Sequence, residues 1–374
     1  MKGVLHIMKL IFTKSSLNKA VGIVMKAVPT RTTMSILECI LIDASTNEIK
    51  FTANDMELGI ETIVEGEIIE KGKVAIDAKI FSEIVRKLPD NDITIETDDN
   101  YTSTITCEKS KFNIAGKSGD DFSYLPVIIK EKSISLSQFT LKETINQTIF
   151  CTSPNDNNKM MTGELFEVKD DQLSVVSLDG HRISIRHIEL KDHYDPFKVV
   201  VPGKTLQEIV KIISGEMDEN VSIYVTSKHI LFEFDNTRVV SRLLEGEYYK
   251  ISQMLSSDYE TKITINKKEF LNCIDRASLL IRESDKKPII IDIADHSLKL
   301  NINSFFGSME EEILIQKEGR DLLIGFNPKF LMDVLRVIDD EEINIYLVNP
   351  KAPCYIKDDA GTYNYLILPV NFNH

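Results

Sequence analysis

Apolar and polar residues along this chain follow two periods, and one combination of them occurs three times. Residues 73–88 (KVAIDAKIFSEIVRKL), 198–213 (KVVVPGKTLQEIVKII) and 323–338 (LIGFNPKFLMDVLRVI) each open on four mostly apolar positions. Each then crosses a short turn and enters about ten residues of helical period. Lys79, Lys204 and Lys329 hold the same place in the three copies. Glu83, Glu208 and Asp333 follow four residues later, and Arg86, Lys211 and Arg336 seven residues later. These offsets share one helical face, so each copy predicts a cation, acid, cation stripe opposite an apolar one. In the first copy the apolar stripe is Ile80, Ile84, Val85 and Leu88. The copies lie about 125 residues apart, beyond the ~20–50 of a solenoid repeat and close to the length of a small domain. The pattern therefore predicts three tandem domains of one fold.

The helical period extends over residues 14–27, 78–88, 137–150, 203–214, 266–282 and 327–338, two helices per domain. Between them the period changes to two, with β-branched residues. The strands this predicts in the first domain are 8–12, 36–42, 48–53, 56–64, 92–96, 102–107 and 111–115. The second domain gives 163–168, 172–177, 183–188, 222–226, 229–234 and 238–243, and the third gives 262–265, 342–348, 354–357 and 363–370. The order helix, strands, helix, strands with hairpin-length connections indicates antiparallel sheets with helices gathered on one face, an α+β plan.

Charge sharpens that picture. The net charge of −14 argues against a nucleic-acid partner until its distribution is considered. The six helical segments together carry +9, so the remainder carries −23. Helices gathered on one surface would attract phosphate while the rest repels it; the alternative is that solvated helix faces simply collect lysine. The charged fraction of 27% and hydrophobic fraction of 43% suit a soluble globular chain, and no apolar run approaches the ~18 residues of a membrane span. Residues 1–7 are too weakly apolar for a signal peptide, and Met8 is a candidate true start. Five scattered cysteines suit buried thiols in a reducing, cytoplasmic compartment.

Motifs of chemistry are scarce. The sequence contains no Gly-rich phosphate loop, HExxH, GxSxG or paired-cysteine metal pattern, so no cofactor and no metal are expected. His181 beside Asp179 is the one arrangement suggesting acid-base work, and a turn built from Asp and Gly explains it without catalysis. Two readings other than DNA binding stay open on the residues alone: a tripled enzyme with its site at Asp179 and His181, and a monomeric peptide-binding scaffold without a DNA role.

The tripled strand-helix unit, Arg31 to Leu37 (RTTMSIL), residues 162–167 (TGELFE), residues 178–182 (LDGHR) and the ending 365–370 (YLILPV) together resemble the bacterial sliding clamps, the beta subunits of DNA polymerase III. The resemblance spans residues 8–370. It implies three clamp domains, at 8–129, 133–256 and 261–374, each with two helices on an inner face and antiparallel sheets outside. It further implies a head-to-tail homodimeric ring that encircles double-stranded DNA without sequence preference. The implied role is that of a non-catalytic processivity factor in DNA replication. Implied partners are the replicative polymerase alpha subunit, the clamp loader, and repair and translesion polymerases, with no membrane.

By position, the resemblance assigns DNA contacts to Arg31, Lys79, Lys159, Lys204 and Lys329. It assigns a hydrophobic partner-peptide groove to Leu178, Gly180, Arg182 and Ile183 on one wall, Pro353, Leu368, Pro369 and Val370 on the other, and Met254 in the middle. It assigns the dimer interface to Phe112 and Ile114 against Leu279 and Leu280. The chain departs from the family at Tyr248-Tyr249-Lys250-Ile251, at Gly203 where a basic residue is usual, after Arg31 where a proline is usual, and in the tail Asn371-Phe372-Asn373-His374.

Overall fold

The computed structural model describes residues 6–154, 157–256, 258–282 and 287–372. Met1 to Leu5 of the possible extension 1–7, Asn155 and Asp156 of the loop before Lys159, and the tail end Asn373-His374 lie outside the described residues. Two compact units emerge: residues 1–141 with 208–243, and residues 142–207 with 244–374.

The first unit holds one antiparallel sheet of thirteen strands, from Lys132–Ser137 at one edge to Glu67–Glu70 at the other. Helix α1 (Lys14–Val24) begins where the Thr13 hydroxyl accepts the Ser16 N–H at 3.2 Å, and it buries Leu17, Ala20, Val21 and Val24. Helix α2 (Ala78–Lys87) is capped by Asp77, which accepts the Ile80 N–H at 2.8 Å. Its buried residues are Ala78, Phe81, Ile84 and Val85. Ile80, expected on that apolar stripe, is 52% exposed; Phe81, three and four residues before Ile84 and Val85, shares their buried face instead. There Phe81, Phe51 and Phe12 form a run of ring contacts at 6.3 and 5.9 Å, each buried ring contributing roughly 2–3 kcal/mol.

The second unit holds a nine-stranded and a four-stranded antiparallel sheet. Helices α5 (Lys267–Ser278) and α6 (Pro328–Leu335) pack together, burying Phe270, Cys273, Ile274 and Ala277 with Leu331, Val334 and Leu335. The remaining helices are α3 (Gln138–Asn146) and α4 (Gly203–Ile212). The strand-helix unit thus forms in all three places, with strands Lys73–Asp77, Phe197–Pro202 and Leu322–Phe326 leading into α2, α4 and α6. All five cysteines are buried and unpaired.

Several expected boundaries move. Residues 36–38 form a turn before strand Cys39–Asp43, closed by the Leu37 N–H to the Met34 carbonyl at 3.0 Å and the Cys39 N–H to the Ile36 carbonyl at 3.1 Å. Their apolar side chains serve packing, with Ile36 against Cys39, Leu41, Ala75 and Phe122. Helix α1 gives way to a 3-10 turn (Met25–Ala27) ahead of Pro29, and α3 stops at Asn146. Strands Glu67–Glu70 and Lys132–Ser137, both at a sheet edge, were not expected, although residues 132–137 (KSISLS) alternate strictly, and strands Ile289–Ala294, Ser297–Ser304, Gly307–Leu314 and Gln316–Gly319 of the third domain were not placed either. The last strand, Tyr363–Ile367, ends before Leu368 because Pro369 has no N–H to donate to the ladder.

Candidate functional site

Two features of the second unit gather residues of the expected site. The first is a turn joining strands Gln172–Leu178 and Arg182–Glu189. Asp179 fixes it: its Oδ1 accepts the backbone N–H groups of His181 at 2.9 Å and Arg182 at 3.1 Å, and its Oδ2 accepts Arg182 Nε at 2.9 Å. Gly180 sits at φ +90°, a backbone conformation that suits glycine. The neighbouring strand Tyr363–Ile367 pairs with this one, Arg182 opposite Ile367 and Ile183 opposite Leu366. The Leu368 N–H then donates to the His181 carbonyl at 2.9 Å, which brings the two expected walls together.

Beneath the turn lies a buried cation. The Arg182 side chain is 7% exposed, with Nη1 2.6 Å from Asp333 of α6 and Nη2 donating to the Phe150 carbonyl at 2.6 Å. Its guanidinium lies between the rings of Phe330 (4.5 Å) and Phe150 (5.3 Å). Two carboxylates, a carbonyl and two ring faces therefore satisfy a charge that would otherwise be very costly to bury. Arg182 faces inward and positions the turn. Leu178 and Ile183 are likewise buried, in a cluster with Tyr248, Tyr355 and Leu366.

Of the residues expected to form the groove, Gly180, Met254 (42% exposed) and Leu368 (37% exposed) are exposed, and Pro353 and Pro369 are half-buried. The Tyr355 hydroxyl reaches the Met254 carbonyl at 3.4 Å, which ties Met254 to the strand beside Leu366. Val370 is placed elsewhere. Its N–H donates to the Gly325 carbonyl at 2.8 Å, and Phe372 lies over Gly325, with Cδ1 2.7 Å from where a Cβ would stand. His181 is exposed and stacks on Phe330 at 5.9 Å, while Asp179 is spent on the turn.

The second feature is a cavity of about 630 Å³ at the starts of α4 and α6. Lys204 and Lys329, each at the second position of its helix, line it with Arg182 and Asp333. Asp333 is already paired with Arg182, so the two lysines are the charges that the cavity adds, and two helix N-termini contribute partial positive charge. Gly203 has a steric reason: a Cβ would stand 2.8 Å from the Thr162 carbonyl oxygen. In the first two copies of the stripe the acid pairs with the cation three residues on, Glu83 with Arg86 at 2.6 Å and Glu208 with Lys211 at 2.8 Å. In the third, Asp333 turns to Arg182, and Arg336 approaches Asp275 at 3.8 Å.

Lys159 is exposed at the start of a 3-10 turn (Lys159–Thr162) and does not line that cavity. Arg31 and Lys79 are exposed on the first unit, as is Phe112; Ile114 is half-buried on the same strand, Ser110–Ser118. Leu279 is 82% exposed just after α5, and Leu280 is half-buried. Sequence reasoning missed Phe150, Phe330 and Asp333 as partners of Arg182. The signal available was the apolar-aromatic spacing in α6 beside an acid that the stripe assigned to solvent. It also missed Glu164, whose fully buried carboxyl has its pKa pushed up to about 8 by burial, against the opposing pull of the Thr148 hydroxyl. Among the described residues no cluster of His, Cys, Asp and Glu could hold a metal, and no helix is long and apolar enough to cross a membrane.

Known proteins share this arrangement along the whole chain. Residues 8–126, 135–250 and 252–371 match the models of the N-terminal, central and C-terminal domains of the DNA polymerase III beta subunit. A beta sliding clamp of Staphylococcus epidermidis is 35% identical over 357 residues, covering 92% of this chain and 94% of that one. The crystal structure of a putative DNA polymerase III beta subunit from Eubacterium rectale superposes with a TM-score of 0.95 at 70% identity, covering 98% of this chain and 100% of that one. The DNA polymerase sliding clamp of Bacillus subtilis does so with a TM-score of 0.95 at 34% identity, covering 99% and 100%. The chain, with its three α+β clamp domains, belongs to the DNA polymerase III beta subunit family, the beta sliding clamps.

Proposed function

We propose that this chain closes head to tail with a second copy into a ring around duplex DNA, and tethers the replicative polymerase alpha subunit, the clamp loader and repair and translesion polymerases through the groove at Leu368. It is a processivity clamp for DNA polymerase and a non-catalytic subunit. Its working compartment is the cytoplasm, and its domains run over residues 8–129, 133–256 and 261–374.

The observation that carries the DNA part is the lysine repeated at the second position of α2, α4 and α6, with Lys204 and Lys329 lining one cavity. Together with Arg31, Lys79 and Lys159 these groups contact phosphates, which hold a duplex without reading its sequence. Retention then comes from closure of the ring, so weak, sliding contacts suffice.

Two open sheet edges support the closure. Residues 110–115 of strand Ser110–Ser118 pair on one side only, and strand Gly307–Leu314 is outermost in its sheet. Lys109 and Lys111 lie at the first edge beside Glu108, and Glu310 and Glu312 on the second, where Glu311 is paired with Arg276. Phe112, Ile114, Leu279 and Leu280 supply apolar contact beside that pairing.

A two-part experiment tests this reading. Sedimentation should give a two-chain mass for the protein and a one-chain mass for Leu279→Ala/Leu280→Ala. A fluorescein-labelled peptide with Leu and Phe anchors should bind saturably and lose about tenfold or more in affinity on Met254→Asp/Leu368→Asp. A two-chain mass for the alanine variant would remove the interface assignment, and unchanged peptide affinity would remove the groove.

A further inference from the structure

In each of the three repeats an aromatic residue follows the last strand and seats against the strand that leads into the second helix. In the first repeat Phe122 shares a buried cluster with Ala75, and in the second Tyr248 shares one with Val200. In the third, Phe372 lies over Gly325. The three aromatics stand about 125 residues apart, the spacing of the repeat, and Ala75, Val200 and Gly325 hold one place in it. The backbone repeats as well: Ala75 pairs with Lys117, the Leu244 N–H donates to the Val200 carbonyl at 2.9 Å, and the Val370 N–H donates to the Gly325 carbonyl at 2.8 Å. Phe372 is the third copy of a seat built into the fold.

This third seat is shaped for its ring. A Cβ on Gly325 would stand 2.7 Å from Phe372 Cδ1, 2.9 Å from the Val370 carbonyl oxygen and 3.2 Å from Phe372 Cε1. All three atoms belong to residues 370–372, so it is this segment that the glycine accommodates. Strand Leu322–Phe326 is outermost in its sheet, paired with Ile289–Ala294 on one side, and its other edge receives the Val370 N–H.

Between the last strand and the seat lie Leu368 and Pro369 of the expected groove wall. Leu368 is held on one side by its N–H to the His181 carbonyl at 2.9 Å, and Val370 on the other by Gly325. Pro369, between them, has no N–H to donate. Two backbone bonds and one seated ring therefore fix the wall, where an unanchored segment would fray. A wall already ordered relieves an incoming ligand of the entropy cost of ordering it.

We propose that Phe372 is a positioning residue for the groove: seated on Gly325, it holds Leu368 and Pro369 in place for an apolar peptide anchor without itself touching the peptide. That the ligand is a peptide rests on the reading of the Leu368 groove; the seat does not.

The test uses the full chain and the fluorescein-labelled peptide with Leu and Phe anchors, read by polarisation, beside deuterium uptake of the peptide-free chain read by mass spectrometry. Phe372→Ala empties the seat, and Gly325→Ala expels the ring while leaving it in the chain. Each should weaken the peptide about five- to tenfold, and the two together no further, since both act through one seat. Uptake over residues 368–372 should rise in both, with uptake over strand Tyr363–Ile367 unchanged. Phe372→Tyr, the residue type of the second copy, should retain affinity. Unchanged or tighter binding by Phe372→Ala overturns the proposal. Weaker binding with unchanged uptake overturns it too, since Phe372 would then be a direct contact. A failure of the groove reading looks different: Met254→Asp/Leu368→Asp then leaves the affinity unchanged as well.

Discussion

Two turns, Asp55 to Leu58 in the first unit and Asp179 to Arg182 in the second, share a backbone, each aspartate Oδ1 accepting the N–H groups two and three residues on, and differ in what supports them. Under the first, Leu58 is an apolar residue 2% exposed, and a simple hydrophobic contact suffices. Under the second, a buried arginine is held by Asp179, Asp333 and two aromatic rings. A buried ion pair adds little net stability over an apolar pair of like volume, but it tolerates few geometries. The turn beside Leu368 is thereby locked to α6, and through α6 to the helix start that carries Lys329. Repetition supplied the frame, and substitution at one position gave it a different support.

Removing half of that support should produce the largest effect. Asp333→Ala leaves Arg182 buried with one carboxylate, and should cost the second unit about 3–5 kcal/mol in urea denaturation. Glu57→Ala, which removes the exposed ion pair of Glu57 with Arg242 at the first turn, should cost less than about 1 kcal/mol. Equal costs would erase the distinction between the two turns.

A second contrast lies one strand away. Ile40 and Glu164 hold corresponding places, opposite Ile76 and Val201 in the strands that lead into α2 and α4, and both are fully buried. Glu164 is protonated up to about pH 8 in the folded chain, against 4.5 for an ordinary glutamate. Between those values the folded chain holds a proton that the unfolded chain has released, so stability falls as pH rises. The loss should reach roughly 3 kcal/mol between pH 4.5 and about pH 7. Glu164→Gln should flatten that slope; an unchanged slope would show that the carboxyl is not the cause.

The smallest effects concern the turn tips. Gly180→Ala places a side chain at φ +90° and should cost about 1 kcal/mol, whereas Met56→Gly relieves φ +75° and should gain up to about 1 kcal/mol, both read from thermal melting. Opposite signs would confirm that one backbone is imposed at both places.

The tripled strand-helix pattern made the fold legible because each copy combines a period of two with a period of 3.6 around a capped turn, and all three copies form where they were expected. Strand Lys132–Ser137 was missed although its residues alternate strictly, because only Ile134 and Leu136 are apolar and a six-residue run between two domains offers few of them. Residues 36–38 read as strand because apolar side chains that pack a turn cannot be told from those that pack a sheet. Within the site, Gly180 and Asp179 announced a turn. The burial of Arg182 did not show, because its partners come from α6 and from Phe150, far away in sequence. Val370 continued an apolar run, yet its N–H goes to Gly325, a partner visible only in three dimensions.

The central claim, retention on DNA by ring closure, is tested most directly on a singly nicked circular plasmid charged with the protein by a clamp loader. Gel filtration should show the protein eluting with the circle and leaving it once the plasmid is cut to a linear duplex, with Leu279→Ala/Leu280→Ala absent from both. Equal retention on circular and linear DNA would mean that contacts alone hold the duplex, and would contradict the account.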